Sequence, residues 1–103
     1  MSDHEELLEF HRMLVSTPSV SHEETAIADR VQGWLEGRGA AVERVGDNVI
    51  ARAGSGPRCV LCSHLDTVPP TEAWTRAPFE AVRDGDRIYG LGSNDAKASV
   101  AAM

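Results

Sequence analysis

The sequence predicts an α/β fold, and three observations carry that prediction. Two stretches with apolar residues at helical spacing open the chain. A glycine-centred pair of short strands follows, and a nearly continuous apolar run over residues 59–65 then ends in LCSHLDTVPP. Such a run suits a central strand covered on both faces, so the expected architecture is a mixed sheet flanked by helices.

The elements follow in order. Ser2-Asp3-His4-Glu5 has the S-x-x-E form of a capping box, and Leu7, Phe10 and Leu14 follow at helical spacing, predicting a first helix to about Val15. Thr17-Pro18-Ser19 breaks it. Ser21-His22-Glu23-Glu24 is read as a second capping box, ahead of Ile27, Val31, Trp34 and Leu35, with Gly37 and Gly39 ending that helix. AAVERVGDNVIARAG predicts a hairpin around Gly46-Asp47-Asn48. Residues 79–82 and 87–89 flank Arg83-Asp84-Gly85-Asp86 as a second hairpin. The terminal DAKASVAAM predicts a helix from Ala96 to Met103, two turns long and without a cap, so an incomplete domain is expected.

Composition narrows the function. The 103 residues are 42% hydrophobic and 25% charged, the balance of a globular domain. A chain of this size buries roughly two thirds of its unfolded surface, so its core is small. The formal net charge is −6, from sixteen acidic and ten basic residues, with no basic cluster. Nucleic acid and anionic membranes are therefore poor partners. The N-terminus MSDHEELLEF is acidic where a signal peptide is basic, and no apolar run reaches the length of a membrane span. A cytoplasmic protein is expected.

Cys59 and Cys62 form a C-x-x-C. On a strand, residues three apart face opposite sides, and no further zinc ligands stand nearby, so core or near-core thiols are expected rather than a metal or redox pair.

The candidate chemistry lies in two strand exits. On a strand, His64 and Asp66 share a face at its carboxyl end, where open α/β sheets place their ligand crevices. A histidine ligand commonly gives its second ring N–H to a carboxylate, which fixes the tautomer. Taken alone, the pair favours a plainer reading, a satisfied core histidine with an aspartate capping the turn into Val68-Pro69-Pro70. A second stretch, Tyr89-Gly90-Leu91-Gly92-Ser93-Asn94-Asp95-Ala96-Lys97, places another aspartate after a glycine turn at a helix start, again at a strand exit, so the two stretches are expected to face each other across one crevice. A dinucleotide loop is the competing reading of Gly90-x-Gly92. Its third glycine would fall on Asp95, whose charge repels a pyrophosphate. A glycine turn of structural use alone is the other alternative.

Together the motifs resemble the M20 metallopeptidases and deacylases, a family that includes acetylornithine deacetylase and succinyl-diaminopimelate desuccinylase. The matching residues are Ser63-His64-Leu65-Asp66-Thr67-Val68-Pro69, Trp74, Pro78-Phe79, Asp86-Arg87-Ile88-Tyr89-Gly90-Leu91-Gly92 and Asp95-Ala96-Lys97. Ser63 stands where glycine is usual, Leu91 replaces an arginine and Ala98 a glycine. The G-S-N-D wording leans toward the acetylornithine deacetylase branch.

The resemblance implies a di-zinc amidohydrolase that cleaves the amide bond of an N-acyl amino acid, with Co2+ or Mn2+ as alternative metals. The M20 dipeptidases and carboxypeptidases are the alternative; a nucleotide-binding fragment or a non-catalytic interaction module is a more distant one. By the resemblance, His64 binds one metal, Asp95 bridges both, and Asp66 orients His64. The Asp95-Ala96 peptide is expected to be cis. Residues 1–103 would form the N-terminal part of a zinc-peptidase-like catalytic domain and be inactive alone. The general base, the remaining ligands and an inserted lid or dimerisation domain would lie downstream. The partners implied are a small N-acyl amino acid or dipeptide and, for the full-length protein, a second copy in a homodimer.

Overall fold

The computed structural model describes residues 2–103. Helix α1, Asp3–Val15, begins on the expected capping box: Ser2 Oγ accepts the Glu5 N–H at 3.2 Å, and the Glu5 carboxylate accepts the Ser2 N–H. Its last turn is closed by the Thr17 hydroxyl, which donates to Met13 O at 2.7 Å, and Pro18 then cannot continue the helix. Helix α2, Thr25–Gly37, ends through Arg38, with Gly39 in the left-handed region at φ 81°. Apolar residues at helical spacing bring the two helices together. Phe10, Leu14, Ile27 and Val31 are buried as one cluster, and Trp34 stacks on Phe10 with ring centroids 3.9 Å apart. Arg38 covers the outer face of Trp34 at 4.2 Å. Each such fully buried side chain contributes about 1.5–3 kcal/mol.

The second capping box does not form. Glu24 precedes α2 without any side-chain cap, and the Ser21 hydroxyl points elsewhere. The S-x-x-E spacing is present, but His22 takes a left-handed φ of 74° and turns Ser21 away from the helix.

Strands β1, Ala41–Val45, and β2, Asn48–Arg52, pair antiparallel, Ala41 opposite Arg52, around a tight turn in which Gly46 has φ 59°. Arg44 fastens this hairpin to α2 through Asp29 at 2.8 Å. Strands β3, Val82–Asp84, and β4, Arg87–Tyr89, make the second hairpin, its first strand starting at Val82 rather than residue 79 because Ala81 has φ 49°. The strands thus lie in two two-stranded antiparallel sheets, and the one isolated bridge among the described residues is parallel, Val20 to Thr67.

Residues 59–65 are not the buried central strand that the apolar run predicts. No strand pairs with them among the described residues, so the run has no ladder, and Val60 and Leu61 are 84% and 63% exposed. Cys59 and Cys62 are free and exposed, not core thiols, for the same reason. The final helix also starts later than expected. Helix α3 spans Ala98–Ala102, after a turn over residues 93–97 in which Asp95 and Ala96 leave helical geometry. No helix of the described residues is long and apolar enough to cross a membrane.

Candidate metal centre

Three segments meet at one cleft. Residues 19–21 lie beside residues 65–67 through a short parallel clamp: the Thr67 N–H donates to Ser19 O at 2.9 Å, the Ser21 N–H to Thr67 O at 3.1 Å, and the Ser19 hydroxyl to Leu65 O at 2.8 Å. The third segment, residues 90–95, approaches closely because of its two glycines. A Cβ on Gly90 would lie 2.1 Å from Val15 Cγ1, and one on Gly92 would lie 2.5 Å from Thr67 Cγ2, with φ at 77° as well. The Gly90-x-Gly92 pattern thus serves close packing and a left-handed turn.

This arrangement brings the three candidate site residues together. His64 Nδ1 lies 3.2 Å from Asp66 Oδ1 and 3.1 Å from the Asp66 carbonyl oxygen, while Nε2 lies 3.1 Å from Asp95 Oδ1. Both neighbours of Nδ1 are acceptors, so Nδ1 carries a hydrogen. Nε2 then faces the Asp95 carboxylate with either a proton or a lone pair. The Asp95-Ala96 peptide is cis, Asp95 adopts φ −117°, ψ 92°, and its carboxylate faces the imidazole. The cleft, about 500 Å³, is lined by Ser21, His64, Asp66, Trp74, Tyr89 and Asp95. It opens to solvent at His64 and Asp95, whose side chains are 51% and 88% exposed.

The electrostatics follow from the contacts. The hydrogen bond to the Asp66 carbonyl, followed by the bond to Asp95 and the charges of both carboxylates, raises His64 above its ordinary value. The Ser21 hydroxyl, donating to Asp66 Oδ2, is the first cause holding Asp66 below the usual carboxylate range, with His64 adding to it.

An imidazole nitrogen and a carboxylate oxygen, 3.1 Å apart and open to solvent, are a donor pair of the kind that zinc takes. They fit as part of a site. Zinc uses three or four protein ligands, and among the described residues no group of three or more His, Cys, Asp or Glu is arranged so that all could hold one metal ion.

Three residues that the sequence reading gave no role at the site support it. Ser21 touches Asp66, but its S-x-x-E spacing pointed to a helix cap. His11 is buried on α1 and its Nε2 donates to Ser93 O at 2.8 Å, holding the turn before Asp95; its place on the apolar face of α1 was the only signal. Lys97 is fully buried, and its Nζ donates to Thr17 O at 3.1 Å, tying the turn to the end of α1. Burial pushes its pKa down to about 8. Lys97 was visible in the D-x-K motif, but the motif by itself gave it no role.

The profile of Peptidase family M20/M25/M40 matches residues 60–103, the stretch that holds His64, Asp66 and Asp95. The chain is 36% identical to a succinyl-diaminopimelate desuccinylase of Novosphingobium aromaticivorans, over 87% of this chain and 27% of that protein. It is 38% identical to a peptidase M20 domain-containing protein of Schizosaccharomyces pombe, over 94% of this chain and 25% of that one. An acetylornithine deacetylase of Proteus mirabilis is 35% identical, over 87% and 27% respectively. The chain therefore spans about a quarter of the length of these relatives.

Proposed function

The chain belongs to peptidase family M20/M25/M40, and from that premise we propose that it supplies one side of the metal centre of a di-zinc amidohydrolase acting on N-acyl amino acids. The observation that carries this reading is the approach of His64 Nε2 to Asp95 Oδ1 at 3.1 Å, with Asp66 behind the other ring nitrogen. His64 would hold one metal ion and Asp95 would be shared between two, with Co2+ or Mn2+ able to replace Zn2+. Bound divalent cations supply Lewis acidity, which polarises an amide carbonyl and acidifies a water toward neutral pH.

The chain's own residues do the positioning. Asp66 accepts the Nδ1 hydrogen, so that in the neutral imidazole the lone pair is on Nε2, on the Asp95 side of the cleft. The glycine turn and its supports, His11 and Lys97, set where the Asp95 carboxylate stands. With two candidate ligands at the centre, the 103-residue polypeptide by itself is not expected to turn over substrate.

The similarity to both a desuccinylase and a deacetylase supports a small N-acyl amino acid as the substrate class. The test is to assay the full-length gene product on N-acetyl and N-succinyl amino acids and on dipeptides, with and without chelator. Chelator-sensitive release of the acyl group is the result expected. Preferential cleavage of dipeptides would move the assignment to the peptidase branch, and hydrolysis unaffected by chelator would contradict the metal reading.

A further inference from the structure

We infer that Ser21 is a positioning residue of this centre: its hydroxyl holds the Asp66 carboxylate in the orientation that presents one oxygen to His64 Nδ1. The inference rests on the proposed role of His64 in metal binding.

The two Asp66 oxygens are divided between two partners. Oδ1 faces His64 Nδ1 at 3.2 Å, and Oδ2 accepts from the Ser21 hydroxyl across 45 positions of sequence. A terminal carboxylate torsion is broad by itself, and the Asp66 side chain is one third exposed, so without Ser21 water would compete for either oxygen. Ser21 is well placed to prevent this. Its N–H is fixed on Thr67 O, one residue beyond Asp66, and Thr67 in turn is fixed on Ser19. Hydroxyl and carboxylate therefore ride on two clamped segments, and the hydroxyl lies in the same cleft as His64 and Asp95.

A second observation points the same way. Helix α2 starts only at Thr25 and without a side-chain cap, although the S-x-x-E spacing of Ser21 would start it at His22, and His22 instead takes a left-handed conformation that non-glycine residues rarely adopt. Both features are locally unfavourable. Such outliers persist where the surroundings require them, and here they turn the Ser21 side chain from the helix to Asp66.

The test compares Ser21→Ala and Ser21→Thr with wild type in the full-length gene product, using two readouts. In the metal-free protein, nitrogen-edited NMR of the His64 imidazole should show an exchange-protected Nδ1–H in wild type and Ser21→Thr and lose that protection in Ser21→Ala. By chelator competition, zinc affinity should fall about tenfold in Ser21→Ala and return to within about twofold of wild type in Ser21→Thr. Ser21→Ala with a wild-type imidazole signal and zinc affinity would overturn the inference. So would equal impairment of both variants, because a hydroxyl would then not suffice. Wild type that shows the protected Nδ1–H, lost in Ser21→Ala, yet takes up no zinc would sustain the role of Ser21 and refute the metal reading instead.

Discussion

At the scale of single residues, the site depends on four side chains joined by three contacts: Asp66 to Nδ1 of His64, Asp95 to Nε2, and Ser21 to the far oxygen of Asp66. An Asp66→Asn variant keeps an acceptor for the Nδ1 hydrogen but removes the charge. In the full-length protein it should take up zinc when zinc is in excess while activity falls about 10- to 100-fold. Near wild-type turnover would return Asp66 to the role of a turn cap. Lys97, the sole lysine of the chain, gives a pH signature. Its pKa is about 8 in the fold, against 10.5 in an unfolded chain, so between these values the unfolded state binds more protons and stability rises with pH. Denaturant unfolding of wild type and Lys97→Met should therefore differ in wild type's favour increasingly from pH 8 to 10.5, and by a constant amount below pH 8. A pH-independent difference would contradict a buried, desolvated ammonium. His64, Asp66 and Asp95 were legible as candidates because two short motifs carried them, although the first stands on an unpaired segment and not at a strand exit. Ser21 was hidden because one spacing serves two structural purposes, and only the φ of His22 decides between them.

The elements with purely local causes were the most legible. The capping box at Ser2, the apolar spacing of α1 and α2, and the glycine turns at Gly46 and Gly85 each fix a segment without help from distant residues, and each stands where the sequence puts it. The 59–65 run was misread because an apolar segment becomes a strand only beside another strand, and sequence pattern does not supply the neighbour. The packing makes definite predictions. Leu14 is fully buried in the α1–α2 core, so Leu14→Ala should destabilise by about 2–5 kcal/mol, measured by chemical unfolding. Gly90→Ala would set a methyl 2.1 Å from Val15 Cγ1, and Val15 is itself fully buried. A loss of about 1–3 kcal/mol is expected from overpacking. Because this glycine also positions the Asp95 turn, metal affinity should fall with it; a destabilised variant with unchanged zinc affinity would show that the turn is set without Gly90.

For the whole molecule, the radius of gyration of 14.2 Å and extents of 47 × 33 × 21 Å describe an elongated body, whereas a compact chain of this length would give about 13 Å. Its helical core is small, and Val60, Leu61 and Val68 stand 84%, 63% and 70% exposed along backbone with no ladder. Unpaired edges of this kind invite association, so the 103-residue polypeptide alone should self-associate in sedimentation experiments and Leu61→Lys should reduce it. A monomeric species with a sharp cooperative transition would argue against that. The metal centre is the claim on which the functional account turns, and counting bound metal tests it most directly. Full-length wild type, His64→Ala and Asp95→Ala should be loaded with zinc, desalted, and measured for metal per protomer. Two equivalents in wild type, about one in His64→Ala, and loss from both positions in Asp95→Ala is the predicted result; Asp95→Ala with the metal content of wild type would contradict it.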